Sequence, residues 1–127
     1  MKKILVVEDD PVNATIVGDF LSANGYAVAV AKNGAQGIEM CASESPDMML
    51  VDVMLPRRNG FEVCFEVKRT PHGRDMPLVL MSAVCRDDEN VTKYSREGLH
   101  VDAYLDKPFS LTRLLAQVHA SIGTASS

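Results

Sequence analysis

Asp47-Met48-Met49-Leu50-Val51-Asp52-Val53-Met54-Leu55-Pro56-Arg57-Arg58-Asn59-Gly60 is the stretch whose reading decides the fold. Four apolar residues run without alternation, a carboxylate follows, and Pro56 and Asn59-Gly60 then break the chain. This pattern predicts a short buried strand ending in an acid. A strand covered on both faces belongs in a parallel sheet, and such sheets gather ligands at the carboxyl ends of their strands. Asp52 stands at that place. A turn cap would use the same residue type, so Asp52 alone does not choose between chemistry and a turn; the flanking chain has to.

Working towards the N-terminus, 3–7 reads as an apolar, β-branched strand that runs into Glu8, Asp9 and Asp10. Asp10 before Pro11 is a helix start, which leaves Glu8 and Asp9 unexplained by capping. Ile16, Val17, Phe20 and Leu21 continue the helix, and Asn24-Gly25 ends it. A second strand is predicted over 26–31. Asn33-Gly34 then leads into a helix with Ile38, Cys41 and Ala42 on its apolar side, stopped by Ser45-Pro46.

Towards the C-terminus, Phe61, Val63, Cys64, Phe65 and Val67 predict an apolar helix, with Thr70-Pro71-His72-Gly73 as its closing turn. The fourth strand covers 77–81 and ends at Ser82-Ala83. From Arg86 to Glu97 only Val91 and Tyr94 offer apolar surface, which predicts the most mobile of the helices. A fifth strand over 102–105 leads to Asp106-Lys107-Pro108-Phe109, and Ser110 caps a last helix bearing Leu111, Leu114, Leu115, Val118 and Ile122. Strands alternating with helices predict an α/β, doubly wound, five-stranded parallel sheet, flavodoxin-like, with strand order 2-1-3-4-5.

The chain of 127 residues accommodates one domain, expected over 1–123, with a small polar tail at 124–127. Thirteen basic against seventeen acidic residues leave a net charge of −4 with no basic stripe, which argues against direct nucleic-acid binding and for a protein partner. Cys41, Cys64 and Cys85 are odd in number and widely spaced, so neither a disulfide framework nor a zinc site is indicated. No signal peptide or membrane span is expected, and a cytoplasmic location follows. His72, His100 and His119 lack metal-ligand spacing, and Met48, Met49 and Met81 read as core fillers.

In a parallel sheet Glu8, Asp9, Asp52, Ser82 and Lys107 converge on one edge. Crowded carboxylates call for a cation, and hard oxygen ligands suit Mg²⁺. A hydroxyl and an ammonium facing one carboxylate suit a phosphoryl group, which makes Asp52 a candidate phosphoryl acceptor.

The chain at this point resembles the receiver domain of bacterial two-component response regulators along essentially its whole length. The resemblance rests on Ile4-Leu5-Val6-Val7-Glu8-Asp9-Asp10, Asp52-Val53-Met54-Leu55-Pro56 with Asn59-Gly60, Met81-Ser82-Ala83, and Asp102-Ala103-Tyr104-Leu105 with Lys107-Pro108-Phe109. It implies that Asp52 accepts a phosphoryl group from a phosphohistidine. It further implies that Asp9, Asp52 and the Met54 backbone carbonyl bind Mg²⁺, with Glu8 acting largely through water, and that Ser82 and Lys107 hold the phosphoryl oxygens. Lys107-Pro108 is then a cis peptide, and Tyr104 packs inward as a switch when Ser82 moves; a half-buried packing role is the other reading of Tyr104.

The implied function is a single-domain regulator, no enzyme beyond self-catalysed phosphoryl transfer and autodephosphorylation. It would take its phosphoryl group from a histidine kinase or histidine phosphotransfer protein and bind a downstream protein through the face of the 86–97 helix, fifth strand and last helix. The alternatives are a phosphate-independent interaction module on the same scaffold, a piece of a larger regulator or hybrid kinase, and a metal-dependent phosphohydrolase. Met1 just before the first strand and the short tail suit a full-length protein. Two departures bear on the output face and the site. Gly98 and Asp102 are separated by two residues more than is usual in the family, and Arg57-Arg58 place two cations beside the site, read as solvated or as partner contacts.

Overall fold

The computed structural model describes residues 2–55, 59–82, 101–106 and 109–124, with Ser82 and Asp106 described at the backbone. The strands are β1 (Lys3–Val7), β2 (Ala27–Ala31), β3 (Met48–Asp52), β4 (Leu78–Ser82) and β5 (Ala103–Asp106). The helices among the described residues are α1 (Pro11–Ala23), α2 (Gly34–Glu44), α3 (Gly60–Lys68), α4 (Pro71–Asp75) and α5 (Leu111–Ile122). All strand pairings are parallel, and the order is β2-β1-β3-β4-β5, as the alternation of patterns predicts.

The central strand explains the layering. Every residue of β3 is buried, because its side chains point alternately into two cores. Met48 and Leu50 join Ile4, Val6, Val79, Met81 and Leu105 beneath Val17, Leu21, Leu114 and Val118 of α1 and α5. Met49 and Val51 join Leu5, Val7, Leu78 and Leu80 beneath Cys41 of α2 and Val63, Cys64 and Val67 of α3. Strand register keeps the carboxyl ends level: Val7 pairs with Val51, Asp52 with Met81, and Ser82 with Asp106.

Each described helix begins at a side-chain cap, which satisfies backbone donors that have no partner within the helix. Asp10 accepts from the Val12 N–H (3.0 Å), Asn33 from Gln36 (2.8 Å), Asn59 from Glu62 (2.9 Å), Thr70 from Gly73 (3.0 Å) and Ser110 from Arg113 (3.1 Å). After α1, Gly25 takes a positive φ of 93°, the left-handed stop expected of Asn24-Gly25.

The structure corrects several local expectations. Ile16 is 49% exposed; the inward face of α1 is Ala14, Val17, Gly18 and Leu21. Ala42 is likewise exposed, and α2 buries Gly34, Gly37 and Cys41. A Cβ at Gly37 would meet Val7 Cγ2 at 2.9 Å, so α2 approaches β1 more closely than a larger residue permits. Thr70-Pro71-His72-Gly73 opens α4, with Thr70 as cap and Pro71 at the first helical position, because that pair is a helix start as well as a turn. The fifth strand begins one residue later than predicted. Its neighbour Asp102 instead accepts from the Leu78 N–H (2.6 Å) and lies 3.7 Å from Lys68 Nζ, tying the starts of β4 and β5 together. The helix expected over 86–97 lies outside the described residues.

Candidate metal centre at the carboxyl edge of the sheet

Glu8 follows β1 directly, and its N–H donates to the Ala31 carbonyl (3.0 Å), which carries the β1–β2 pairing one residue past the strand. The side chain is therefore held at the sheet edge and is 3% exposed, with its Oε2 shielded from solvent. Asp52 closes β3 and is 5% exposed, whereas Asp9 lies at the surface. One carboxylate oxygen from each of these three residues lies within 4.8 Å of the other two. Three like charges at that spacing, two of them buried, repel strongly where water screens little. A divalent cation would reverse that sign, and three hard oxygens with one side open to water match what Mg²⁺ takes from a protein.

The turn after Asp52 is tightly bonded. Val53 N–H donates to Met81 O (3.0 Å), Met54 N–H to Asp52 Oδ1 (2.9 Å), and both Leu55 N–H (3.2 Å) and Gly60 N–H (2.8 Å) to Val53 O. Met54 thus stands beside Asp52 with its side chain 67% exposed. Ser82 ends β4 one position past the partner of Asp52, and Asp106 pairs with it. Lys107, next in the chain, and the Lys107-Pro108 bond lie outside the described residues, as do Arg57 and Arg58. Tyr104 sits on β5 opposite Leu80 and packs, half-buried, on the core beneath α2 and α3.

The histidines that are described make structural contacts. His72 Nε2 lies 2.7 Å from the Pro46 carbonyl and the His119 ring packs 6.5 Å from that of Tyr26. Cys41 and Cys64 are free and buried. No helix among the described residues is long and apolar enough to cross a membrane. Two residues matter more than sequence reasoning allowed: Gly60, read there as a chain breaker, abuts the Asp52 main chain, and Asp102 bridges two strands. The signal for Gly60 was its place after Asn59; for Asp102 local pattern held none.

The sequence model of the response regulator receiver domain matches residues 4–119. The chain belongs to the response regulator receiver domain family. Among curated proteins, this receiver domain is 40% identical over 118 residues to the response regulator MprA of Mycobacterium ulcerans, covering 93% of this chain and 49% of that one. The MprA of Mycobacterium avium is 39% identical over the same length, with 93% and 50% covered. The chain thus spans about half the length of the curated relatives it matches.

Among solved structures, the receiver domain of a sensor histidine kinase from Pseudomonas aeruginosa, with a magnesium ion coordinated in its active-site cleft, superposes with a TM-score of 0.85. It is 28% identical, with 97% of this chain and 98% of that chain covered. The response regulator TrrA of Thermotoga maritima, in complex with Mg²⁺ and a beryllium fluoride, gives 0.82 at 27% identity, covering 96% and 100%. These neighbours hold Mg²⁺, and this receiver domain has an acidic cluster able to hold a metal.

Proposed function

We propose that this receiver domain accepts a phosphoryl group on Asp52 with Mg²⁺ bound at Glu8, Asp9, Asp52 and the Met54 backbone carbonyl, and that it signals by phosphorylation-dependent protein binding. The observation that carries the reading is the convergence of the Glu8, Asp9 and Asp52 oxygens within 4.8 Å at the end of a buried parallel sheet. In the step itself a carboxylate oxygen of Asp52 attacks the phosphorus of a phosphohistidine; an O–P bond forms, the P–N bond breaks, and the imidazole leaves. Mg²⁺ bound there would offset the charge of the carboxylates and of the phosphoryl oxygens. Met54 N–H, already on Asp52 Oδ1, orients the carboxylate. The Ser82 hydroxyl and the Lys107 ammonium donate hydrogen bonds to the phosphoryl oxygens in this reading, and Tyr104 is the switch responding to Ser82.

The phosphodonor in this reading is a histidine kinase or a histidine phosphotransfer protein. Val12 and Ile16 on α1 and Met54 in the loop after Asp52 are exposed apolar residues close in sequence to the acids, and they offer such a partner a non-polar footing. Output runs through β5, α5 and the 86–97 segment to a protein target, without direct nucleic-acid contact, in the cytoplasm, and without turnover of any substrate beyond the domain's own phosphoryl group. We favour a single-domain regulator over 1–123; relatives about twice as long favour, as the second reading, the receiver unit of a longer regulator. The test is intact-protein mass after incubation with acetyl phosphate and Mg²⁺. One added phosphoryl group is expected, absent with chelator and absent in Asp52→Asn; labelling retained in Asp52→Asn would overturn the assignment.

A further inference from the structure

The strand end that carries Asp52 is closed against the first residue of α3. A Cβ on Gly60 would stand 2.4 Å from the Asp52 carbonyl oxygen, 2.9 Å from the Asp52 carbonyl carbon and 2.8 Å from Val53 Cα. All three are main-chain atoms, which no side-chain rotation can clear. The contact is also bonded: Gly60 N–H donates to Val53 O (2.8 Å), and Asn59 Oδ1 takes the Glu62 N–H (2.9 Å), fixing where the helix starts. From the other side Val53 N–H donates to Met81 O (3.0 Å). The 52–53 peptide is thus held between β4 and the tip of α3. The direction in which the Asp52 carboxylate leaves the sheet follows from that peptide.

We propose that Gly60 is a positioning residue for the acceptor: the missing side chain lets α3 seat against the 52–53 peptide and aim Asp52 at the metal and the incoming phosphorus. The inference rests on Asp52 being the acceptor. It predicts more than loss of stability, and the chain supplies its own control. A Cβ on Gly73 would meet the Val67 carbonyl oxygen at 2.0 Å, an equally hard main-chain clash, between α4 and α3 and off the Asp52 peptide.

The experiment compares Gly60→Ala and Gly73→Ala with the unaltered protein in three readouts: unfolding midpoint, Mg²⁺ affinity by calorimetry, and rate of mass gain from acetyl phosphate at saturating Mg²⁺. Both variants should unfold earlier. Only Gly60→Ala should also weaken Mg²⁺ binding and slow phosphorylation, by about tenfold or more for a misplaced reacting group. Unchanged affinity and rate in folded Gly60→Ala, or equal losses in Gly73→Ala, would overturn the proposal. Should Gly60→Ala not fold, Asn59→Ala, which frees the helix start, is to be set against Asn59→Ser, which keeps a cap. The alanine variant should lose rate and affinity and the serine variant regain them; matching values in the two would overturn it. If the unaltered protein takes no phosphoryl group, the acceptor reading fails, while the Mg²⁺ affinities still decide whether Gly60 positions the site.

Discussion

At the scale of single residues, charge and burial make opposite demands on this site. Glu8 and Asp52 are buried beside each other and Asp9 adds a third negative charge from the surface. Repulsion among them is expected to lower the stability of the metal-free protein. Asp9→Asn should therefore raise the unfolding temperature in chelator and shrink the rise that Mg²⁺ gives, two shifts of opposite sign readable in one pair of melting curves. Cys64 shows burial acting alone. The apolar core pushes its thiol far above the ordinary value of 9.0, with Lys68 pulling weakly the other way. The folded protein keeps the proton while the unfolded chain releases it above that ordinary value. The associated stability is fully present below about pH 9 and falls as pH rises beyond it. Cys64→Ala should flatten that alkaline decline, measured as denaturation midpoint against pH.

At the scale of elements, the ends of helices carry much of the local specification. Thr70 caps α4 and its hydroxyl also donates to Val67 O (2.7 Å), joining α3 to α4. Thr70→Ala should cost about 1 kcal/mol in chemical denaturation, the usual worth of such a cap. The last turn of α5 is fastened differently, by a clasp from residues near the start of the chain. Tyr26 donates its hydroxyl to Gly123 O (2.7 Å), and Lys2 Nζ donates to Ile122 O. Burial raises the Tyr26 pKa above its ordinary value of 10.0, so the donor stays protonated well past neutrality. Tyr26→Phe should cost about 1 kcal/mol and speed hydrogen exchange at Gly123, whose N–H bonds His119 O. Phosphorylation at the far edge should be unaffected.

At the scale of the whole molecule, parallel strands bring acids 44 positions apart onto one edge. A ligand that binds only this arrangement stabilises the whole domain by mass action. Mg²⁺ at about ten times its dissociation constant should add about 1.4 kcal/mol to unfolding free energy, and Asp52→Asn should lose most of that increment. Much of this architecture was legible in advance. The unbroken apolar run 48–51, the capping residues Asp10 and Ser110, and the acids after the first strand and at the end of the third are local signals, and they pointed to the strand order, the parallel sheet and the acidic trio. Ala42, expected on the apolar side of α2, is exposed, because periodicity marks an apolar stripe without saying how near the sheet lies. On α2 a small residue, Gly37, takes the inward place where the approach to β1 is close.

Among the described residues, the sequence by itself determined which segments become strands and most of those that become helices, where most of them start and stop, and which carboxylates end the strands. Those outcomes depend on dihedral preferences, caps and side-chain periodicity, all of which act over a few residues. Only the tertiary structure decided that Glu8 is buried beside Asp52, that Asp102 holds the start of β4, and that Gly60 seats α3 against the 52–53 peptide. Each of these depends on a distance between elements remote in sequence, and such distances are set by close packing of the two cores across the sheet.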